Sequence, residues 1–210
     1  MSRALSLRLL LCSDGRISSS PVVIELVIQR SFDAAEYASV PSGFEVSHWV
    51  QAVRDEAGVF QLRTQSVESP YIKDYDAIAG NHPQDWAARF DLNRWMFLAA
   101  RLNDRRVAGT ALALDQVEVG SGSPAGTGIL WDIRVHPSER GKGIGRRLLA
   151  FVEEQARGAG LVRIEAETQD INVAACRLYG GAGYGLMRVQ PMAYPELPDE
   201  VRLDWSKRIA

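Results

Sequence analysis

Cysteine is scarce. Cys12 and Cys176 are the only two in a chain of 210 residues, too few and too far apart for a disulfide framework or a Cys-x-x-Cys metal site. The three histidines, His48, His82 and His136, stand singly. No His-x-x-x-His pair offers zinc ligands, so no metal is expected. An excess of one charge is missing too. With 24 basic and 26 acidic residues the net charge is −2, so no global basic field favours nucleic acid. No apolar run is long enough to cross a membrane. Near the N-terminus Arg8 interrupts the apolar stretch Met1 to Cys12, and Leu9-Leu10-Leu11-Cys12 is a poor lipoprotein signal, which argues against export. Residues 1–20 are therefore expected to be a disordered extension, residues 21–210 one domain, and the protein cytoplasmic.

What is present suits a single core, since 46% of the residues are hydrophobic. The β-branched run Val22 to Ile28 predicts a first strand, and Asp33 to Ser39 a short helix. Glu45 to Arg63 is ambiguous, with Val59 to Thr64 a candidate strand, and Glu68 to Phe90 reads as loop. Arg94 to Leu102, the turn Asn103-Asp104-Arg105 and Arg106 to Leu114 predict a hairpin. Gly120 to Gly128 is a Gly/Ser loop and Gly128 to Val135 a buried strand. Apolar residues at helical spacing fill Ile144 to Arg157, which Gly158 and Gly160 end. A strand over Leu161 to Ala166, a helix over Asn172 to Ala182, and strands at Gly185 to Gln190 and Val201 to Lys207 complete an α/β (α+β) domain: a mixed central sheet with helices on both faces.

Most of the chemistry is concentrated in Ile133 to Leu149, which reads as strand, glycine-rich turn and helix start. Bare backbone amides ahead of a helix N-terminus form an anion site, and Arg140, Lys142, Arg146 and Arg147 add positive charge. A P-loop is excluded, because no glycine stands five residues before Gly141-Lys142. A dinucleotide fingerprint fits at Gly141 and Gly143, with Glu165 or Glu167 as the downstream acid, but its third glycine is Arg146. The pattern met in full is Arg140-x-x-Gly143-x-Gly145.

That pattern resembles the coenzyme A pyrophosphate loop of the GNAT acetyltransferases. Asn172, Tyr179, Gly183 and Tyr184 stand where that superfamily has Asn, a helical Tyr and Gly-Phe or Gly-Tyr. The segments Tyr71-Ile72-Lys73-Asp74-Tyr75-Asp76, Arg89-Phe90-Asp91, Leu130-Trp131-Asp132-Ile133, Glu167-Thr168-Gln169-Asp170-Ile171-Asn172 and Ala193-Tyr194-Pro195 with Pro198-Asp199-Glu200-Val201 are similar to the streptothricin acetyltransferase branch. The resemblance implies a GNAT domain with its coenzyme core at about residues 94–190, acetyl-CoA as co-substrate, and a small-molecule amine as acceptor.

It also implies roles. Ile133, Arg134 and Val135 would pair with the pantetheine arm, and the Val135 amide would face the thioester oxygen. Arg140, Gly141, Lys142, Gly143, Ile144, Gly145 and Arg146 would hold the diphosphate, a side chain at Gly143 crowding it. Asn172 would bond to the coenzyme's amide arm and Tyr179 would protonate the leaving thiolate. Asp132, by its position before the glycine loop, is the first candidate for general base or substrate anchor, and Glu167 the second. Asp74 and Tyr75 join them as substrate-binding candidates, since a cationic acceptor needs carboxylates. Another amine (a polyamine, an aminoglycoside or a protein lysine), a non-catalytic coenzyme A module and a homodimer all remain open.

Overall fold

The computed structural model describes residues 6–10, 23–114 and 122–210. In chain order the elements are β1 (Ser6–Leu10), β2 (Val23–Ile28), α1 (Ala34–Ala38), β3 (Phe44–Arg54), β4 (Phe60–Lys73), α2 (Trp86–Arg89), β5 (Trp95–Leu102) and β6 (Arg105–Ala113). They continue as β7 (Thr127–Val135), α3 (Ile144–Gly158), β8 (Arg163–Gln169), α4 (Val173–Gly181), β9 (Gly185–Gln190) and β10 (Arg202–Arg208).

Eight strands form one mixed sheet in the order β1-β2-β5-β6-β7-β8-β10-β9. Every neighbouring pair is antiparallel except β7 and β8, which are parallel. That exception follows from α3, whose crossover carries the chain back to the starting end of β7. The β5–β6 turn is the expected one: Asn103 and Asp104 both take left-handed φ, 48° and 62°, as a tight hairpin turn requires.

Helices cover both faces. On one, α3 lays down Ile144, Leu148, Leu149, Phe151, Val152 and Ala156, all buried against β5, β6 and β7. Each large side chain in that stripe is worth on the order of 1.5–3 kcal/mol of burial. On the other, Tyr37 of α1 and Trp86 of α2 join Trp95, Phe97, Phe32, Phe90 and Trp131 in an aromatic cluster. Asp33 caps α1 as expected, accepting from the Glu36 amide at 2.9 Å.

Four expectations need adjusting. Glu45 to Arg63 is not ambiguous and Glu68 to Phe90 is not wholly loop, because β3 and β4 form a separate two-stranded ribbon running from Phe44 opposite Lys73 to Arg54 opposite Phe60. Most of β4 is exposed, so no apolar alternation marks it. The ribbon is fixed to the body along β3 by the Val50 amide donating to Asp170 O at 2.9 Å and at its base by the buried Lys73–Glu200 pair at 2.5 Å. Within the expected extension 1–20, Ser6–Leu10 is a strand paired with β2, and the other residues lie outside the described ones. Of the Gly120 to Gly128 loop, residues 120–121 lie outside the described ones and Thr127 already belongs to β7.

Candidate active site

β7 sets up the site. It pairs with β8 only from Thr127 to Leu130, and beyond that point the two strands part. On its other side β7 stays paired with β6 as far as Val135 opposite Ala108. His136 N donates to Val107 O at 2.8 Å. By the alternation of an antiparallel ladder, Arg134 then exchanges bonds with Gly109, and the amides of Ile133 and Val135 point away from β6 into the gap. An unpaired strand edge is thus presented to any ligand entering there.

A bulge adds a second feature. The β6–β7 register slips so that Ala111 faces Asp132 while Leu112 faces Leu130. Trp131 is the extra residue, and it and Asp132 both turn toward the aromatic cluster.

The glycine turn follows. Gly141 and Gly143 have φ of 76° and 77°, a region unfavourable for side chains, and Gly143 is the N-cap of α3. A Cβ at either would meet nothing within 4 Å, so conformation and not crowding by the protein requires glycine. The amides of Ile144, Gly145 and Arg146 open the helix without intrahelical acceptors. Gly145 lies close to β7, its hypothetical Cβ 3.5 Å from Val135 Cγ2. Arg146 is exposed and makes no ion pair among the described residues, while Lys142 pairs with Glu139 at 3.0 Å.

The side chains of Arg140 and Arg134 are both engaged within the protein. The Arg140 guanidinium donates to Val135 O at 3.0 Å and Gly43 O at 2.9 Å, bracing the turn. The Arg134 side chain points to the other face of β7. There it is buried and donates to Asp132 at 2.8 and 3.1 Å, to Asp76 at 2.8 and 3.0 Å and to Val40 O at 3.2 Å. Burial alone would lower its pKa, but Asp132, Tyr37 and Asp76 outweigh that and hold it above its ordinary value.

A cavity of about 580 Å3 runs along the gap, lined among others by Tyr75, Asp76, Trp86, Asp132, Glu167 and Tyr179. Asp132 Oδ2 accepts from Tyr37 Oη at 2.6 Å as well as from Arg134. Glu167 accepts from Tyr194 Oη at 2.7 Å and pairs with Arg202 at 2.9 Å. Tyr179, on α4, lines the cavity, and its hydroxyl has no hydrogen-bond partner among the described residues. Burial, then the charge of Asp132, pushes the Tyr179 phenol up, so it stays protonated at neutral pH.

Asn172 caps α4, its Oδ1 accepting from the Ala175 amide at 3.0 Å, while its Nδ2 donates to Tyr75 Oη at 3.4 Å. These bonds use Oδ1 and one Nδ2 hydrogen and leave the second Nδ2 hydrogen over. Asp74 accepts from Ser42 Oγ at 2.7 Å and from the Asp76 amide at 3.1 Å. It secures its loop and does not line the cavity, whereas Tyr75 and Asp76 do. Tyr37 and the Arg134 side chain were missed from the sequence. The Asp132-x-Arg134 spacing, which places two side chains on one strand face, was the available signal; Tyr37 offered none.

Residues 59–184 match the model of the Acetyltransferase (GNAT) family. The chain belongs to the GNAT acetyltransferase family. Streptothricin acetyltransferase of Escherichia coli is 27% identical over 186 residues, 87% of this chain and 92% of that one. Two solved structures share the fold. One is a candidate streptothricin acetyltransferase of Bacillus anthracis in complex with acetyl coenzyme A, with a TM-score of 0.70 and 20% identity over 88% of this chain and 99% of that one. The other is nourseothricin acetyltransferase, with a TM-score of 0.67 and 19% identity over 89% and 99%. Membership of the GNAT acetyltransferases makes the chain an acyltransferase that uses acetyl-CoA, and it disposes of the dinucleotide reading of the glycine turn. Among the described residues no helix is long and apolar enough to cross a membrane.

Proposed function

We propose that this GNAT acetyltransferase moves an acetyl group directly from acetyl-CoA to a primary amine of streptothricin, so that it would act in the cytoplasm as an antibiotic-resistance enzyme. One observation carries the chemistry. The free edge of β7 runs from a cavity lined by carboxylates to a turn of bare amides at the N-terminus of α3. The near full-length relative in Escherichia coli supports the choice of acceptor.

The residues present fit the coenzyme. Amides at Gly141 to Arg146 can hold a diphosphate, with exposed Arg146 adding charge. The amides of Ile133 and Val135 can pair with an amide-bearing arm, and that of Val135 can stabilise charge building on a thioester oxygen. Bound acetyl-CoA supplies the activated acetyl group. The chain's own residues do the rest.

Asp132 serves as anchor. Its Oδ2 already accepts two hydrogen bonds and its Oδ1 one, so what it offers the cavity is a fixed negative charge and a single lone pair. Asp132, Asp76 and Arg134 together carry one net negative charge, which suits an ammonium group. Glu167, also on the cavity wall, accepts the proton that the ammonium must lose, directly or through water. Tyr179 Oη holds a proton for the departing sulfur.

The test is a mixture of purified protein, acetyl-CoA and streptothricin, followed by thiol release and by mass spectrometry of the antibiotic. A singly acetylated antibiotic is expected. Thiol release with other amines but none with streptothricin would overturn the acceptor assignment. Acetyl-CoA binding without turnover on a broad panel of amines would favour a non-catalytic module.

A further inference from the structure

Asp132 is not held by its own strand alone. Three donors reach it from behind, and one of them crosses from the far end of the chain: Tyr37 of α1, 95 residues away in sequence. Tyr37 is fully buried and its ring packs at 5.8 Å from Phe32, 5.1 Å from Trp86 and 6.3 Å from Phe97. Two guanidinium groups stand over that ring, Arg106 at 5.0 Å and Arg134 at 5.1 Å. Cations over a phenol ring make its O–H a stronger donor to a carboxylate. Space for this stack comes from Gly109 on β6, where a Cβ would lie 2.5 Å from Arg106 Nη1 and 3.1 Å from Tyr37 Cε2.

The consequence is geometric. The bond from Tyr37 and the Nε bond from Arg134 fill both lone pairs of Oδ2 and fix the carboxylate's rotation. The second Arg134 bond leaves Oδ1 one lone pair for a ligand. Without Tyr37 the Arg134 fork would hold the carboxylate alone, Oδ2 would regain a free lone pair, and a ligand would meet two acceptor directions instead of one.

We infer that Tyr37 is a positioning residue for the acceptor amine: through Asp132 it fixes the direction in which the substrate's ammonium is held, and so sets affinity for the amine and not for acetyl-CoA. This rests on the role proposed above for Asp132. Burial, and then the charge of Asp132, keeps the phenol protonated at all working pH values, so the donor is permanent.

The experiment is Tyr37→Phe, Asp132→Asn and the double variant, each with KM for the amine, kcat and acetyl-CoA affinity by calorimetry. The acceptor is streptothricin or, where that is inert, whichever amine the wild type turns over. Phenylalanine keeps the aromatic packing, so the variant is expected to fold. Losing a hydrogen bond to a charged group should raise the amine KM at least about tenfold, with acetyl-CoA affinity unchanged. On the Asp132→Asn background the same substitution should have little further effect. Asp76→Asn separates the charge of the anchor from its direction. It keeps Tyr37 but leaves Asp132 and Arg134 a neutral pair, and should also raise the amine KM. An unchanged amine KM in the folded Tyr37→Phe protein, or an equal loss of acetyl-CoA affinity, would overturn the inference while leaving the acetyltransferase assignment standing. A wild type that acetylates no amine at all would overturn both.

Discussion

Gly143 offers the most quantitative test of how the turn works. It sits at the N-cap of α3 with φ of 77° and ψ of 7°, and a Cβ there meets nothing in the protein within 4 Å. Its replacement therefore costs backbone conformation and no packing. For an L-residue the left-handed region costs roughly 1–2 kcal/mol, and less for asparagine, whose short polar side chain tolerates it. If the turn is kept, that cost lowers stability. If the turn relaxes, its amides no longer converge, and the same energy appears as a roughly 5–30-fold weaker binding of acetyl-CoA. The series Gly143→Asn, Gly143→Ala and Gly143→Val should thus show a mild, a substantial and a further graded loss, the last from the β-branch.

The assay is isothermal titration with acetyl-CoA beside a thermal melt of each free variant. In the conformational account the losses in stability and affinity together amount to the cost of the left-handed backbone, and asparagine is clearly milder than valine. Alanine binding and melting like wild type would refute it. So would a loss set by side-chain size alone, with asparagine as damaging as valine, which would point to crowding of the bound diphosphate.

Tyr179→Phe should lower kcat by about 10²–10⁴ with acetyl-CoA affinity nearly intact, and unchanged turnover with chemistry shown to be rate-limiting would remove the acid role. Because the Tyr179 phenol is pushed up mainly by burial, the wild-type kcat profile should show no alkaline loss from it below about pH 10, the ordinary tyrosine value. Cys176 is 2% exposed and burial pushes its thiol up to about 12, so a thiol reagent should react with it only as fast as the protein opens; rapid reaction in the native state would contradict its placement. The folded state keeps a proton that the unfolded thiol releases at about pH 8.5, so this contribution to stability is present below that value and lost as pH rises toward the folded value.

The coenzyme half of the site was legible because it is local. Strand, left-handed glycines and the first turn of α3 are adjacent in sequence, and the 3.6-residue spacing from Ile144 to Ala156 marks the buried face of the helix that follows. The acceptor half was legible only in parts, because it is assembled from α1, the loop after β4, α2, β7, β8 and the segment before β10. Single acids in those places look alike in sequence: Asp74 secures a loop, Asp76 grips Arg134, and Asp132 faces the cavity. The ribbon of β3 and β4 was hidden for a related reason, since a strand exposed on both faces carries no apolar alternation. Asp132 shows what this means for mechanism. Read alone on its strand, before the glycine turn, it is an obvious candidate base. With Arg134 two residues on, facing the same side, and Tyr37 brought in from 95 residues away, its oxygens are largely occupied, which is the ground for proposing it as an anchor. Position in the sequence identified the residue, and only its long-range partners determine whether it moves a proton or holds an amine.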